Sequence, residues 1–230
     1  AKFSRNRDLE QLQNDLRMER IPRHIECFDN SNIQGHYPVA ACVVFRNGKP
    51  SRKEYRHFNI QSVTGPDDYA SMKEVVFRRY RRLLNNGDEL PQLVVIDGGK
   101  GQLSAARSSL QELDIQDQVV VIGIAKRLEE IYFPDDPVPL YLDKKSSSLK
   151  TIQHLRDEAH RFGIQFHRQK RSQDFTTSEL EQIGGIGPRT AQILLEKYGS
   201  VAEVRKLDRT VLAQDVGPAK AKVIWEHFHG

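Results

Sequence analysis

Asp29, Asp97 and His160 are the residues of this chain whose types and positions could do chemistry. Asp97 closes the apolar run Val94-Val95-Ile96 and is followed by Gly98-Gly99-Lys100-Gly101-Gln102. An apolar run that ends in glycine reads as a buried strand, and open α/β sheets place reactive groups at the carboxyl ends of their strands. Asp29 ends the run His24-Ile25-Glu26-Cys27-Phe28 in the same way, ahead of Asn30-Ser31-Asn32. Two carboxylates brought close repel unless a cation or a proton intervenes. Hard oxygen donors with one imidazole suit Mg²⁺ or Mn²⁺, whereas structural zinc prefers Cys and His. Such an ion makes a hydroxide nucleophile, and a pair of ions stabilises both the attacking and leaving oxygens of a phosphodiester. His160 would be a ligand, or would carry a proton to or from the reacting water. Asp157, three residues earlier on the same helical face, would orient the imidazole. Lys100 would screen a phosphate, and Glu74 is a further candidate carboxylate. Plainer readings stand beside these: Asp29 as a turn cap, His160 as a structural histidine, Lys100 as a solvated loop charge.

A nucleotide-binding loop is the rival reading of the Asp97 stretch, and the spacing excludes it. A P-loop needs Gly-x4-Gly-Lys-Ser/Thr, but Val94 stands where the first glycine belongs and Gly101 follows the lysine. The dinucleotide spacing Gly-x-Gly-x-x-Gly is absent as well.

The elements that must position these groups follow from hydrophobic periodicity. Leu9, Leu12 and Leu16 form one helical stripe in residues 1–23, expected to be a helical leader ahead of the first domain. Strands are expected from His24 to Asp29, from Val39 to Phe45 and from Lys53 to Ile60, as a meander turned at Asn47-Gly48. A helix to about Leu84, a strand to Asp97, a helix from Leu103 to Leu113 and a strand from Val119 to Ala125 come next, and then a proline-rich hairpin from Tyr132 to Leu142. Leu149, Ile152, Leu155, Ala159, Phe162 and Phe166 mark a long helix bordered by His160. This order predicts an α/β domain over residues 24–171 with a mixed sheet flanked by helices, and it resembles the ribonuclease H-like fold. Residues 172–177 read as a polar linker, and Ser178-Glu179-Leu180-Glu181 as a capping box opening an all-α module over 178–230.

In that module Ile183-Gly184-Gly185-Ile186-Gly187-Pro188-Arg189 is a tight glycine turn leading into a helix. Glycines before a helix expose N–H groups at its positive end, which receives a phosphate oxygen. Gly185, Ile186 and Gly187 would supply donors, with Arg189 and Lys197 adding charge. A weaker copy recurs at Gly217-Pro218, where Asp215 replaces a glycine and Lys220 follows; it is expected to be mainly structural. The two units look like a tandem helix-hairpin-helix, and contacts of this kind hold DNA backbone without reading its sequence.

Bulk properties agree with one medium and one small domain: 230 residues, 38% hydrophobic and 29% charged. Net charge is only +4, but basic residues cluster at Arg78-Arg79-Tyr80-Arg81-Arg82 and His167-Arg168-Gln169-Lys170-Arg171, which points to a polyanion partner. Cys27 and Cys42 lie in apolar runs without metal-ligand spacing and are expected as buried thiols in a reducing compartment, the cytoplasm. No apolar run reaches the ~20 residues of a membrane span.

Three blocks carry a specific resemblance: Ile25-Glu26-Cys27-Phe28-Asp29-Asn30-Ser31, Val95-Ile96-Asp97-Gly98-Gly99-Lys100-Gly101-Gln102 and Ile152-Gln153-His154-Leu155-Arg156-Asp157-Glu158-Ala159-His160-Arg161. From about Arg23 to its end the chain closely resembles the C-terminal half of the UvrC family of bacterial nucleotide excision repair. The resemblance implies a ribonuclease H-like endonuclease that makes the 5′ cut beside a lesion, followed by tandem helix-hairpin-helix DNA binding. It places the family's Asp-Asp-His set, both metal-binding and catalytic, on Asp29, Asp97 and His160. It also implies damaged double-stranded DNA as substrate and UvrB as the partner presenting it, with UvrA upstream. The family's other nuclease and its cysteine cluster have no counterpart here, so a C-terminal fragment is expected, monomeric in isolation. Asn32 stands where the family usually has His, which would weaken a phosphate or water contact. A non-cleaving scaffold of the same fold and an RNA-cleaving enzyme are the competing readings.

Overall fold

The computed structural model describes residues 2–31, 39–61, 67–125 and 130–229, with the side chains of 2–4, 31 and 166–178 left out. The chain divides into two compact units, Ala1–Gln165 and Phe166–Gly230.

The first unit is built on a mixed sheet of β1 (His24–Ser31), β2 (Val39–Arg46), β3 (Lys49–Pro50), β4 (Arg56–Asn59), β5 (Leu93–Asp97), β6 (Val120–Ile124) and β7 (Ile131–Tyr132). The strand order is β3-β2-β1-β5-β6-β7, and β4 also pairs with β2. Its centre, β1-β5-β6, is parallel, while β2 and β7 run antiparallel to their neighbours. Central parallel strands are buried on both faces, which is why β5 reads as an unbroken apolar run. Side chains alternate between the two faces. Ile25, Cys27, Leu93, Val95, Ile122 and Ile124 pack with helices α1 (Lys2–Asp15) and α4 (Ser147–Glu181). Phe28, Cys42, Val94, Ile96 and Val121 pack on the other face with α2 (Asp68–Asn86) and α3 (Lys100–Glu112). The result is a three-layer α/β/α arrangement.

Several elements differ from the sequence expectation. The presumed leader is part of this unit: Leu9, Leu12 and Leu16 are buried in the α1/α4 core, so its stripe docks rather than dangling. The third meander strand starts late, because a 3₁₀ turn occupies Arg52–Glu54 before β4. The proline-rich segment forms only a short strand and an isolated bridge between Ile131 and Leu140. Helix α3 begins at Lys100, three residues before the apolar stripe. The bounds of α4 include residues 172–177 and Ser178, so neither a linker nor a helix start forms there. A polar stretch does not end a helix unless it contains a breaker, and none lies between Ser172 and Glu181.

The second unit carries α5 (Pro188–Tyr198), α6 (Val201–Arg205), α7 (Arg209–Val216) and α8 (Pro218–His229). Its core contains Leu180, Ile183, Ile186, Ala191, Leu194, Leu212, Ala221 and Ile224. Gly199, at φ +80°, ends α5 in the left-handed conformation that favours glycine.

Candidate active site

In the parallel register of β1 and β5, Asp29 lies directly opposite Asp97. Each carboxylate is two residues beyond a side chain of the α1/α4 face, Cys27 and Val95, so both point toward α4. They are 2% and 4% exposed. On α4, Ile152, Leu155 and Ala159 are buried at steps of three and four, and this fixes the rotation of the helix. His160 follows directly after Ala159 and reaches the strand ends: its Nδ1 lies 3.1 Å from Asp29 Oδ2. One donor atom from each of Asp29, Asp97 and His160 lies within 4.8 Å of the others. Two carboxylates and an imidazole held this closely match the donor chemistry of a hard divalent ion.

Contacts behind the site hold α4 in phase. Glu158, buried two residues before His160, accepts a hydrogen bond from the Tyr55 hydroxyl at 3.0 Å and pairs with Arg161. The Phe162 ring stacks on His57 of β4, with centroids 3.7 Å apart. Ser148 donates to Asp15 of α1 at 2.6 Å. Burial, and then the charges of Asp97 and Asp29, push the Cys27 thiol well above its ordinary pKa, so it stays protonated beneath the carboxylates. Cys27 and Cys42 are both buried free thiols.

Other sequence candidates have different places. Asp157 does not orient His160: its carboxylate is largely exposed and accepts from Arg156 at 3.0 Å, while the imidazole turns to Asp29. Lys100 sits in the first turn of α3, donates to the Pro137 carbonyl at 2.9 Å and lies over the Tyr132 ring. Glu74 accepts from the Gln61 N–H and pairs with Arg78, a structural tie between α2 and the end of β4. Asn32 lies outside the described residues, as do the side chains of Arg168, Lys170 and Arg171.

The Arg78–Arg82 run is divided by the helix. Arg79 and Tyr80 turn inward to Glu26, whereas Arg81 and Arg82 are exposed. Glu26 also lies 3.0 Å from His24 Nε2. Burial pushes the Glu26 carboxyl up, but the hydrogen bonds from His24 and Arg79 outweigh it and hold it at about 2. A basic run alone does not tell which of its members lie on the buried stripe, and the sequence reading missed this cluster for that reason.

In the second unit, Gly185 has φ +88° and Gly187 opens α5 with no side-chain cap. The Ile186 N–H is committed to the Ile183 carbonyl at 3.0 Å and its side chain is buried, so it is not the donor expected of it. Arg189 is exposed. Lys197 pairs with Asp215 at 2.5 Å, and the Tyr198 hydroxyl bonds the same carboxylate. Lys220 donates to Thr190 at 2.8 Å, and Gly217 takes φ +84° ahead of α8. Asp215 and Lys220 thus stitch the two hairpins together.

A mixed sheet with helices on both faces and paired aspartates at its central strand ends defines a ribonuclease H-like α/β domain, here followed by a helical hairpin unit. The family described as the UvrC RNAse H endonuclease domain matches residues 13–164, and the SAM-like helix-hairpin-helix tandem matches residues 177–229. The chain belongs to the UvrC ribonuclease H endonuclease domain family. It is 59% identical over 224 residues to the UvrABC system protein C of Christiangramia forsetii, covering 97% of this chain and 38% of that protein. The UvrABC system protein C of Porphyromonas gingivalis W83 is 56% identical over 215 residues, 94% of this chain and 36% of its own length. That of Salinibacter ruber is 46% identical over 232 residues, covering 99% and 37%. The chain therefore spans somewhat over a third of the length of these relatives.

Proposed function

We propose that this chain is the part of a UvrC-type protein that hydrolyses a DNA phosphodiester 5′ of a lesion, using Mg²⁺ or Mn²⁺ held by Asp29, Asp97 and His160. The observation that carries this reading is the register of Asp29 with Asp97, met by His160 Nδ1 at 3.1 Å from Asp29. When bound, the ion would supply an activated water and neutralise charge on the phosphate. Asp29 and Asp97 would hold the cation at the carboxyl ends of two strands that cannot move apart without breaking the sheet. One ring nitrogen of His160 lies within 4.8 Å of an oxygen of each carboxylate, where it would bind the ion or pass a proton at the reacting oxygen.

Gly185, Gly187 and Arg189 would take a duplex phosphate at the start of α5, holding backbone without sequence preference. Damaged duplex DNA is the substrate of this reading and UvrB the partner presenting it, with UvrA upstream, in the cytoplasm. Among the described residues no helix is long and apolar enough to cross a membrane.

The test compares the chain with its Asp97→Asn variant on damaged duplex, with Mn²⁺ and UvrB. The expected result is unchanged DNA binding and loss of nicking in the variant. Wild-type chain that binds but never nicks would support the scaffold reading instead.

A further inference from the structure

The ring of Tyr69 lies against Gly101 in the first turn of α3, and 59% of this residue is exposed. The chain goes to some length to keep it in place. Asp67 caps α2 by accepting from the N–H groups of Tyr69 and Ala70 at 3.1 and 3.0 Å. Asn30, next to Asp29, donates its side-chain amide to the Asp68 carbonyl at 2.9 Å, which ties the start of α2 to the strand carrying the first aspartate. From the other side the ring rests on Gly101, four residues after Asp97. A Cβ there would fall 2.4 Å from Tyr69 Cε1 and 2.8 Å from Cζ, so a larger residue at 101 would push the ring aside. Glycine at 101 is thus the seat of the ring. An open cavity of about 600 Å³ is bounded by Tyr69, Gly99, Lys100, Gly101 and Gln102 together with Asp67 and Asp68. That is room for a nucleotide.

Two ligands of this cavity can be told apart by charge. Lys100 turns its ammonium to the Pro137 carbonyl and the Tyr132 ring, so a phosphate beside Tyr69 would face Asp67 and Asp68, whereas a nucleobase presents a neutral π face to the ring. Phenol rings supported on one side and open on the other are the platforms on which bases stack, and such stacking is tolerant of sequence.

We infer that Tyr69 stacks a nucleobase of the cleaved strand beside the scissile phosphate, positioning that phosphate over Asp29 and Asp97. The inference rests on the nuclease reading above. Tyr69 is a positioning residue, not a catalytic one.

The experiment uses the full chain in an Asp97→Asn background, with duplexes carrying 5-iododeoxyuridine at single positions around the cut mapped with the parent protein. Irradiation should cross-link the base flanking the cut to the peptide holding Tyr69. Tyr69→Leu should lose the cross-link and weaken DNA binding about 5- to 100-fold, the range expected of one base–aromatic stack. Tyr69→Phe should keep both. Gly101→Ala, which leaves the tyrosine but removes its seat, should weaken binding as well. The inference is overturned if Tyr69→Leu binds and cross-links like its parent, or if the cross-link maps to another segment. Nicking that survives Asp97→Asn would instead overturn the nuclease reading, whatever Tyr69 does.

Discussion

Asp29 and Asp97 should make the metal-free protein less stable than it could be, and the structure sets the size of the effect. Their donor atoms lie within 4.8 Å of each other on adjacent, buried strand ends. At an effective dielectric of 20, two unit charges at that distance repel by about 3.5 kcal/mol. The imidazole beside Asp29 and the polar groups around both carboxylates reduce this, so Asp97→Asn should stabilise the cation-free chain by about 1–2 kcal/mol, against the usual destabilising direction of buried polar substitutions. For a unit of this size that is a rise of roughly 2–8 °C in the midpoint. Thermal unfolding in EDTA, followed by circular dichroism, measures it. Adding Mn²⁺ must then reverse the ranking. A ligand at 100 times its Kd stabilises the native state by about 2.7 kcal/mol, so the parent should gain that much while the variant gains little. An Asp97→Asn protein that melts at or below the parent in EDTA would refute the charge argument. A variant that still gains fully from Mn²⁺ would show that the ion binds elsewhere.

The Glu26 cluster predicts a different pH response. Its folded pKa of about 2 lies below the ordinary carboxylate value of 4.5, so its contribution is complete above about pH 4.5 and is lost as pH falls toward 2. Urea unfolding across that window should show stability falling steeply in the parent and less in Glu26→Gln. The variant should also be about 3–5 kcal/mol less stable near neutral pH, because Arg79 is left buried beside a neutral amide; equal stability would mean the pair is not closed. In the second unit, Asp215→Asn should release Lys197 and remove an acidic group beside the second hairpin. Duplex affinity should rise severalfold and the salt slope steepen by about one counterion, measured by fluorescence anisotropy over a salt series; a flat salt response would count against the hairpins as the phosphate footprint.

The central sheet and the convergence of Asp29, Asp97 and His160 were legible because their signals are local and strong. Val94-Val95-Ile96 before Asp97 is a buried parallel strand by composition alone, and the 3- and 4-step stripe of Ile152, Leu155 and Ala159 sets the face that borders His160. What was not legible depended on docking or on competition. The Leu9, Leu12, Leu16 stripe marks a helix but does not say where it packs, and it packs inside the first unit. Asp157 is spaced correctly to reach His160, but Arg156 is nearer to it than the imidazole, and Asp29 offers the imidazole a buried partner. Lys100 read as a phosphate screen or a loop charge, but α3 starts three residues earlier than its apolar stripe and holds it in the first turn, against the Pro137 carbonyl. In each case the residue type was read correctly, and a second group, remote in sequence or adjacent to it, decided the partner.

Strand β1 carries two carboxylates that differ in the partners that face them rather than in burial. Glu26 and Asp29 are three residues apart, on opposite faces of the same strand and similarly buried. Glu26 is closed off by a guanidinium, an imidazole and a phenol fixed in the same core, so its charge is balanced permanently and exchange would require unfolding. Asp29 faces an imidazole whose side chain is 53% exposed. That partner can be displaced or recruited without disturbing the core on which α4 rests. A carboxylate meant only for the fold gains from the first arrangement; the second leaves a carboxylate open to an incoming cation, which is what the proposed metal site requires.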